Sequence, residues 1–92
     1  MKVILFGTSL WPQCDPVKEA LSQNNIVFDY IDISASIMNL KKFLRIRDIS
    51  DAHEEVRKKH SVGVPCIMAG DQIYIAETPA YVEKLIEEGK IS

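Results

Sequence analysis

The chain has 92 residues, of which 47% are hydrophobic, enough for one compact core but not for a second domain. It carries 11 Lys and Arg against 13 Asp and Glu, and these are interleaved, which argues against a nucleic-acid-binding protein. No apolar stretch approaches the roughly 20 residues of a membrane span, and the N-terminal apolar run is too short for a secretory signal. We therefore expect a single domain over residues 1–92, a cytoplasmic location and no membrane association.

The first third of the chain predicts a strand, a helix and a strand. Residues 3–6 are a continuous apolar run that stops at Gly7, typical of a strand buried on both faces. Residues 12–24 place apolar side chains at helical spacing. Residues 26–33 are rich in β-branched and aromatic side chains, which favour a second strand.

A second helical pattern follows this strand. Ser34 or Ser36 can cap a helix that ends near Asp48. Its apolar side is predicted to comprise Ile37, Leu40, Phe43 and Leu44. A solvated helix face accounts for its basic residues, which are Lys41, Lys42, Arg45 and Arg47.

A short polar helix is predicted next, over residues 52–59. Asp51 and Glu54 have the spacing of a capping box, in which each end of the motif bonds to the backbone of the other. Because the segment is polar, we expect His53 and His60 to face solvent.

The last third predicts a β-hairpin and a closing helix. Residues 62–69 favour a strand that begins near a proline, residues 70–71 a tight turn, and residues 72–75 the returning strand. Thr78 can cap a last helix that stops at Gly89. The order β-α-β-α-α-β-β-α predicts an α/β fold with a mixed four-stranded sheet flanked by helices.

With this order in place, the chain resembles the thioredoxin fold and, within it, the glutaredoxins. Residues 3–14 are similar without a gap to a glutaredoxin strand, loop and Cys-Pro-x-Cys site, and end here in Trp-Pro-Gln-Cys. Residues 63–65, Gly-Val-Pro, resemble the family's Thr-Val-Pro segment, whose proline is cis and faces the active-site sulfurs. Residues 43–48 and Cys66 also fit a bacterial glutaredoxin-related group with a Phe-Leu-x-x-Arg-Asp run and a Gly-Val-Pro-Cys segment.

The resemblance implies a thiol–disulfide oxidoreductase whose site is altered. Trp11 stands where the nucleophilic cysteine would be, and Cys14 stands at the position of the resolving cysteine. The positions that would contact a substrate are Pro12, Gln13, Val64 and Pro65. Because the nucleophile is missing, we expect this form to be weak or inactive as a dithiol enzyme.

The two cysteines have several chemical interpretations. A helix N-terminus lowers a thiol pKa most at the position that Trp11 occupies, whereas Cys14 lies a turn deeper, where burial raises it and Asp15 disfavours the thiolate. Cys14 is either a small buried hydrophobe or a surviving thiol that forms mixed disulfides. Cys66 is either a core residue or its redox partner. The spacing matches no compact zinc pattern, so we expect no metal site.

Glutathione is the ligand that the family resemblance suggests, and two departures argue against it. Thr8 stands where many members have a lysine that helps to bind glutathione. Residues 75–78 replace the glycine-rich segment that receives its γ-glutamyl end. We expect no bound cofactor.

The expected partner is a small thiol or disulfide compound, or an extended peptide. Two alternatives to an enzyme remain open. One is a non-catalytic binding module that keeps the groove beside Pro65 and Trp11. The other is a redox sensor that uses Cys14 and Cys66.

Overall fold

The computed structural model describes residues 1–92. In chain order the elements are β1 (Val3–Gly7), α1 (Cys14–Gln23), β2 (Asp29–Asp32), α2 (Ile37–Arg47), a 3-10 helix (Asp51–His53), α3 (Glu54–Lys58), β3 (Cys66–Ala69), β4 (Gln72–Ile75) and α4 (Pro79–Glu87). This order confirms the predicted sequence of strands and helices. No helix combines the length and the apolar composition needed to cross a bilayer.

The four strands form one mixed sheet in the order β2-β1-β3-β4. β1 runs parallel to β2, with Phe6 opposite Ile31, and antiparallel to β3, with Phe6 opposite Cys66. β3 and β4 form the predicted hairpin, whose turn is residues 70–71. Continuing the β1–β3 register by one residue sets Pro65 beside Gly7, where β1 ends and the loop to α1 begins.

The central strand separates two apolar clusters, because successive side chains of a strand point to opposite faces. Val3 and Leu5 belong to the cluster that α1 and α4 cover, and Ile4 and Phe6 belong to the cluster that Phe43 of α2 covers. All five of these residues of β1 and α2 are buried. A side chain buried this fully stabilises the fold by about 1.5–3 kcal/mol.

Two strands are shorter than predicted. β2 spans only residues 29–32, because its first bridge partner is Ile4 and the exposed Val27 extends past the start of β1. β3 begins at Cys66 because residues 62–65 form a separate loop, in which Gly63 has a left-handed backbone with φ +91°. That loop belongs to the candidate site.

The long helices confirm two predicted caps and correct one predicted core residue. Ser36, one of the two predicted caps, accepts a hydrogen bond from the Asn39 N–H at 3.1 Å, and Thr78 accepts one from the Tyr81 N–H at 3.2 Å. Ile37, however, is 66% exposed, so it is not on the buried side of α2. It lies in the first turn, where the chain has not yet reached the sheet.

The predicted short polar helix is wrong in two details. It begins as a 3-10 turn after Ser50, and no side chain caps it, so the Asp51 and Glu54 box does not form. His53 is fully buried instead of facing solvent, whereas His60 is exposed as expected.

Candidate functional site

The loop between β1 and α1 folds as two consecutive turns. The Trp11 N–H donates to the Thr8 carbonyl at 3.2 Å, and the Cys14 N–H donates to the Trp11 carbonyl at 3.1 Å. Gln13 occupies the N-cap of α1, and its side chain makes no capping hydrogen bond. Backbone turns, and no side-chain cap, therefore shape the Trp-Pro-Gln-Cys segment.

A chain of hydroxyl groups ties this loop to the start of α2. Ser34 Oγ donates to Asp32 Oδ1 at 2.6 Å, so its only proton is used there. Thr8 Oγ1, 2.8 Å from Ser34 Oγ, must then donate to Ser34, and it accepts from the Leu10 N–H at 3.2 Å. The bonds from the Ser34 hydroxyl and amide hold the pKa of the Asp32 carboxyl below its usual value. Thr8 is therefore an anchor of the loop.

Cys14, the first residue of α1, packs against the end of β1. Its side chain is 0% exposed and packs in the cluster that contains Phe6 and Val64. A Cβ placed on Gly7 would lie 3.2 Å from Cys14 Sγ and 3.3 Å from Tyr30 Cε1. Glycine at position 7 therefore permits the close approach of α1 to the sheet.

The environment of Cys14 disfavours its thiolate. Burial raises the pKa of the Cys14 thiol most, a backbone hydrogen bond from Thr8 opposes this, and the carboxylates of Asp15 and Asp32 raise it further. The net effect is a raised pKa. This agrees in direction with the expectation from sequence, and it is the opposite of what an attacking thiol at neutral pH requires.

Cys66 is more deeply isolated. It is 0% exposed at the start of β3, and burial raises the pKa of its thiol to about 12. Cys14 and Cys66 belong to the same apolar cluster, and both are free thiols. No group of three or more His, Cys, Asp or Glu side chains is placed to hold a metal ion.

Trp11 lies over the outside of this cluster. Its indole is half-buried and packs against the group that contains Cys14, Cys66 and Val64. Pro12 and Gln13 are exposed. A large, half-buried aromatic side chain therefore packs against the cluster that contains both thiols.

The site has two walls. The first is the Trp-Pro-Gln-Cys segment at the start of α1, and the second is the loop that precedes β3. The Val64–Pro65 peptide bond is cis, as the resemblance implied. The Pro65 carbonyl accepts the Ala76 N–H at 2.9 Å, whereas the N–H and the carbonyl of Val64 have no hydrogen-bond partner in the chain. The Val64 backbone thus has an unpaired donor and an unpaired acceptor, in a residue that is 4% exposed.

Arg47 holds this loop from the side of α2. Its Nε donates to the Val62 carbonyl at 2.9 Å and to the Ser61 carbonyl at 3.2 Å, and its Nη2 also donates to Ser61. Arg57 in turn donates to the carbonyls of Arg47 and Ser50 at 2.6 Å and 2.7 Å, which caps the C-terminal end of α2. Arg47 therefore fixes the segment that leads into the cis-proline, and Arg57 fixes the end of the helix that carries Arg47.

His53 is a further side chain that supports the loop before β3. Its Nε2 lies 3.2 Å from the Gly63 carbonyl, and its ring packs edge-on against Phe43 with centroids 5.8 Å apart. A Cβ on Gly63 would lie 2.6 Å from His53 Cδ2. Burial lowers the pKa of His53, the bond to Gly63 opposes this, and the charges of Arg47 and Arg57 lower it further.

Sequence reasoning missed this supporting group. His53 lies three residues before Val56, and this spacing puts both on the one apolar side of a short helix. That spacing was the available signal. The roles of Arg47 and Arg57 had none, since each depends on carbonyls that only the tertiary fold brings within reach.

A mixed four-stranded sheet with helices on both faces and a cis-proline loop beside the start of its first helix defines the thioredoxin-like fold. Among solved structures, the chain is similar to NrdH-redoxin from Escherichia coli, described as a glutaredoxin-like protein with a thioredoxin-like activity profile. The TM-score is 0.53 and the identity 19%, over 92% of this chain and 95% of that one.

The sequence profile of the Glutaredoxin family matches residues 3–75. A protein of Haemophilus influenzae, itself uncharacterized, is 30% identical over 67 residues, which cover 73% of this chain and 78% of that protein. The chain belongs to the glutaredoxin family. The fold and the family expected from the Trp-Pro-Gln-Cys and Gly-Val-Pro segments are thereby confirmed.

Proposed function

We propose that this protein is a cytoplasmic, glutaredoxin-like member of the thiol–disulfide oxidoreductases in which the dithiol site is altered, so that reduction of disulfides is weak or absent in this form. The observation that carries the proposal is the pairing of Trp11, at the nucleophile position, with a fully buried Cys14. The family match supports the redox class.

The parent chemistry requires two sulfurs. A thiolate at position 11 would attack a substrate disulfide, which forms a mixed disulfide and releases one substrate thiolate. The Cys14 sulfur would then attack the mixed disulfide, release the second substrate thiol and leave an intramolecular disulfide. The substrate gains two electrons and the two protein thiols lose them. An indole cannot take the first step, so the second has no mixed disulfide to act on.

The decisive experiment restores the missing sulfur. Trp11→Cys should gain reduction of hydroxyethyl disulfide in the presence of a dithiol reductant, which we choose because the Escherichia coli fold neighbour has a thioredoxin-like profile. Trp11→Ser opens the same space without a sulfur and should gain nothing. The double change Trp11→Cys with Cys14→Ser should lose dithiol turnover. Equal rates in all three variants and the parent would refute the proposal.

The state of the native thiols is tested by alkylation. We expect both Cys14 and Cys66 to resist iodoacetamide in the folded protein near neutral pH and to react after denaturation, because both are 0% exposed and have raised pKa values. Peptide mass spectrometry separates the two sites. Rapid labelling of native Cys14 would show that its thiol still takes part in exchange.

A non-catalytic binding module is the second candidate, and one observation favours it. The N–H and the carbonyl of Val64 have no partner in the chain, and an extended peptide could pair with them without any thiol. Trp11 would report such binding by a shift of its fluorescence. We expect an extended octapeptide to shift it equally in the parent and in Cys14→Ala, and a version with N-methylated amides to shift it less.

Glutathione should shift Trp11 fluorescence weakly. Thr8 is a buried anchor of the loop and supplies no charge, and the segment after β4 enters α4 directly at the Thr78 cap. A glutathione affinity equal to that of the peptide would overturn this expectation.

The redox-sensor alternative uses Cys14 and Cys66, which share one cluster. It requires that mild oxidation with diamide remove two hydrogen atoms from the intact protein mass. An unchanged mass under conditions that oxidise an exposed thiol would eliminate it.

A further inference from the structure

One face of α2 carries a charge that nothing in the protein balances. The helix contains four basic residues and no acidic one, although the chain as a whole has a net charge of −2. Arg47 binds the loop before the cis-proline. Lys41, Lys42 and Arg45 are exposed and take part in none of the protein's salt bridges. Like charges four residues apart repel one another, so this face is electrostatically unfavourable in the isolated chain.

These cations line a groove together. Its volume is about 360 Å³, and its lining residues are Met38, Asn39, Lys41, Lys42 and Arg45. Positions 38, 41, 42 and 45 have the spacing of a single helical face. The opposite face of the helix holds the buried Phe43 and the arginine that supports the loop.

The groove also offers apolar contact. Met38 is 73% exposed in the groove, and its neighbour Ile37 is 66% exposed. Methionine adapts its shape to a contacting surface, and methionine and arginine are enriched at protein interfaces. None of the three cations is buried, so the groove lacks the enclosed donors of a site for a small anion.

The groove adjoins the candidate site through a continuous chain of hydrogen bonds. Asn39, which lines the groove, donates from Nδ2 to the Asp32 carbonyl at 2.9 Å. Asp32 accepts from Ser34, and Ser34 accepts from Thr8, which anchors the loop that carries Trp11. The start of the basic helix is therefore connected to the loop that carries Trp11.

We propose that the basic face of α2, defined by Met38, Lys41, Lys42 and Arg45, is a docking surface for an acidic segment of a partner protein that also contains large apolar side chains. Charge complementarity selects the acidic residues, and the exposed Met38 and Ile37 select the apolar ones. Three cations in a chain of net negative charge are too few for nucleic acid. The proposal goes beyond the proposed redox class and does not need an active thiol.

The probe is a fluorescent 12-residue peptide that repeats the unit Glu-Glu-Leu. Binding is followed by anisotropy at low and at physiological salt, and the contacted residues are mapped by backbone amide chemical shifts. The charge-reversed variant is Lys41→Glu with Arg45→Glu. The matched control is Lys59→Glu with Lys84→Glu, which makes the same charge change at exposed positions outside α2 that form no salt bridge.

We expect the parent and the control to bind alike, the charge-reversed variant to bind at least about tenfold more weakly, and binding to weaken with salt. Shifts should map to residues 37–45. Equal weakening in both variants, or no binding of the peptide, would overturn the proposal. So would stronger binding to phosphatidylserine vesicles or to a single-stranded oligonucleotide than to the peptide. Repeating the titration with Cys14→Ala separates this result from the redox proposal, since docking should be unchanged.

Discussion

The two walls of the candidate site are built differently. On the wall formed by the start of α1, the Trp-Pro-Gln-Cys segment has no side-chain cap, and its middle two residues are exposed. On the wall formed by the cis-proline loop, Arg47, His53 and Arg57 bind the backbone around residues 61–63 and the end of α2. The part that would hold a ligand is rigidly supported, while the part that would perform the chemistry lacks its first sulfur. The binding proposed above would depend on the supported loop and not on a sulfur at position 11.

The largest effect on the free energy of unfolding should come from a substitution that adds atoms inside the cis-proline loop. Gly63→Ala places a Cβ 2.6 Å from the His53 ring at a backbone φ of +91°. We expect a loss of about 3 kcal/mol in the free energy of unfolding, measured by urea denaturation. Gly70→Ala is the control, because its φ is +59° but nothing lies within 4 Å of the new Cβ. It should cost only about 1 kcal/mol. Similar losses in both would mean that His53 gives way and does not fix the loop.

The next effect should come from removing a support. Arg47→Met keeps most of the side-chain length and loses the bonds to the Ser61 and Val62 carbonyls. Hydrogen bonds to a charged donor are worth about 1.5–3 kcal/mol, so losing them at the partly buried Ser61 carbonyl should lower the unfolding free energy by about 2 kcal/mol. Arg45→Met lies on the exposed face of the same helix and should change it by less than about 0.5 kcal/mol. If Arg47→Met were as stable as Arg45→Met, the hydrogen bonds of Arg47 would contribute nothing to the free energy of unfolding.

Many of these elements could be predicted from the sequence. The features that could not be predicted depend on the tertiary fold. The strand at residues 3–6, the caps at Ser36 and Thr78 and the turn at residues 70–71 follow from local patterns, since neighbours in the chain determine them. The burial of His53 has only one local signal, its spacing from Val56, and its contact with the left-handed Gly63 ten residues later depends on the tertiary fold. The direction of the pKa shift at Cys14 could be predicted, but the complete burial of both thiols and the raised pKa of Cys66 required the fold.

A smaller effect should follow from loosening the other wall. Thr8→Val keeps the shape of the side chain and leaves the Leu10 N–H without its acceptor. We expect a loss of about 1 kcal/mol in the unfolding free energy and a red shift of Trp11 fluorescence as the loop opens. Ser9→Ala, at an exposed neighbouring position with no side-chain hydrogen bond, is the control and should change neither. An unshifted spectrum in Thr8→Val would show that Thr8 does not position Trp11.

The smallest effect should be a pH dependence confined to the supported wall. Burial lowers the pKa of His53 below its ordinary 6.5, so the unfolded chain binds this proton more readily than the folded one. The stability linked to His53 is then fully present above about pH 6.5 and is lost as the pH falls through the lower folded pKa. Because a carbonyl only accepts, Nε2 already donates to Gly63 in the neutral ring, and protonation would add a proton to Nδ1, which is buried without a hydrogen-bond partner. The new charge would also be repelled by those of Arg47 and Arg57. His53→Gln should flatten the unfolding free energy between pH 5 and pH 7 relative to the parent, whereas His60→Gln, at an exposed position, should leave the slope unchanged. A slope that survives His53→Gln would assign the effect to the carboxylates, and among these Asp32 also has a lowered pKa and belongs to the opposite wall.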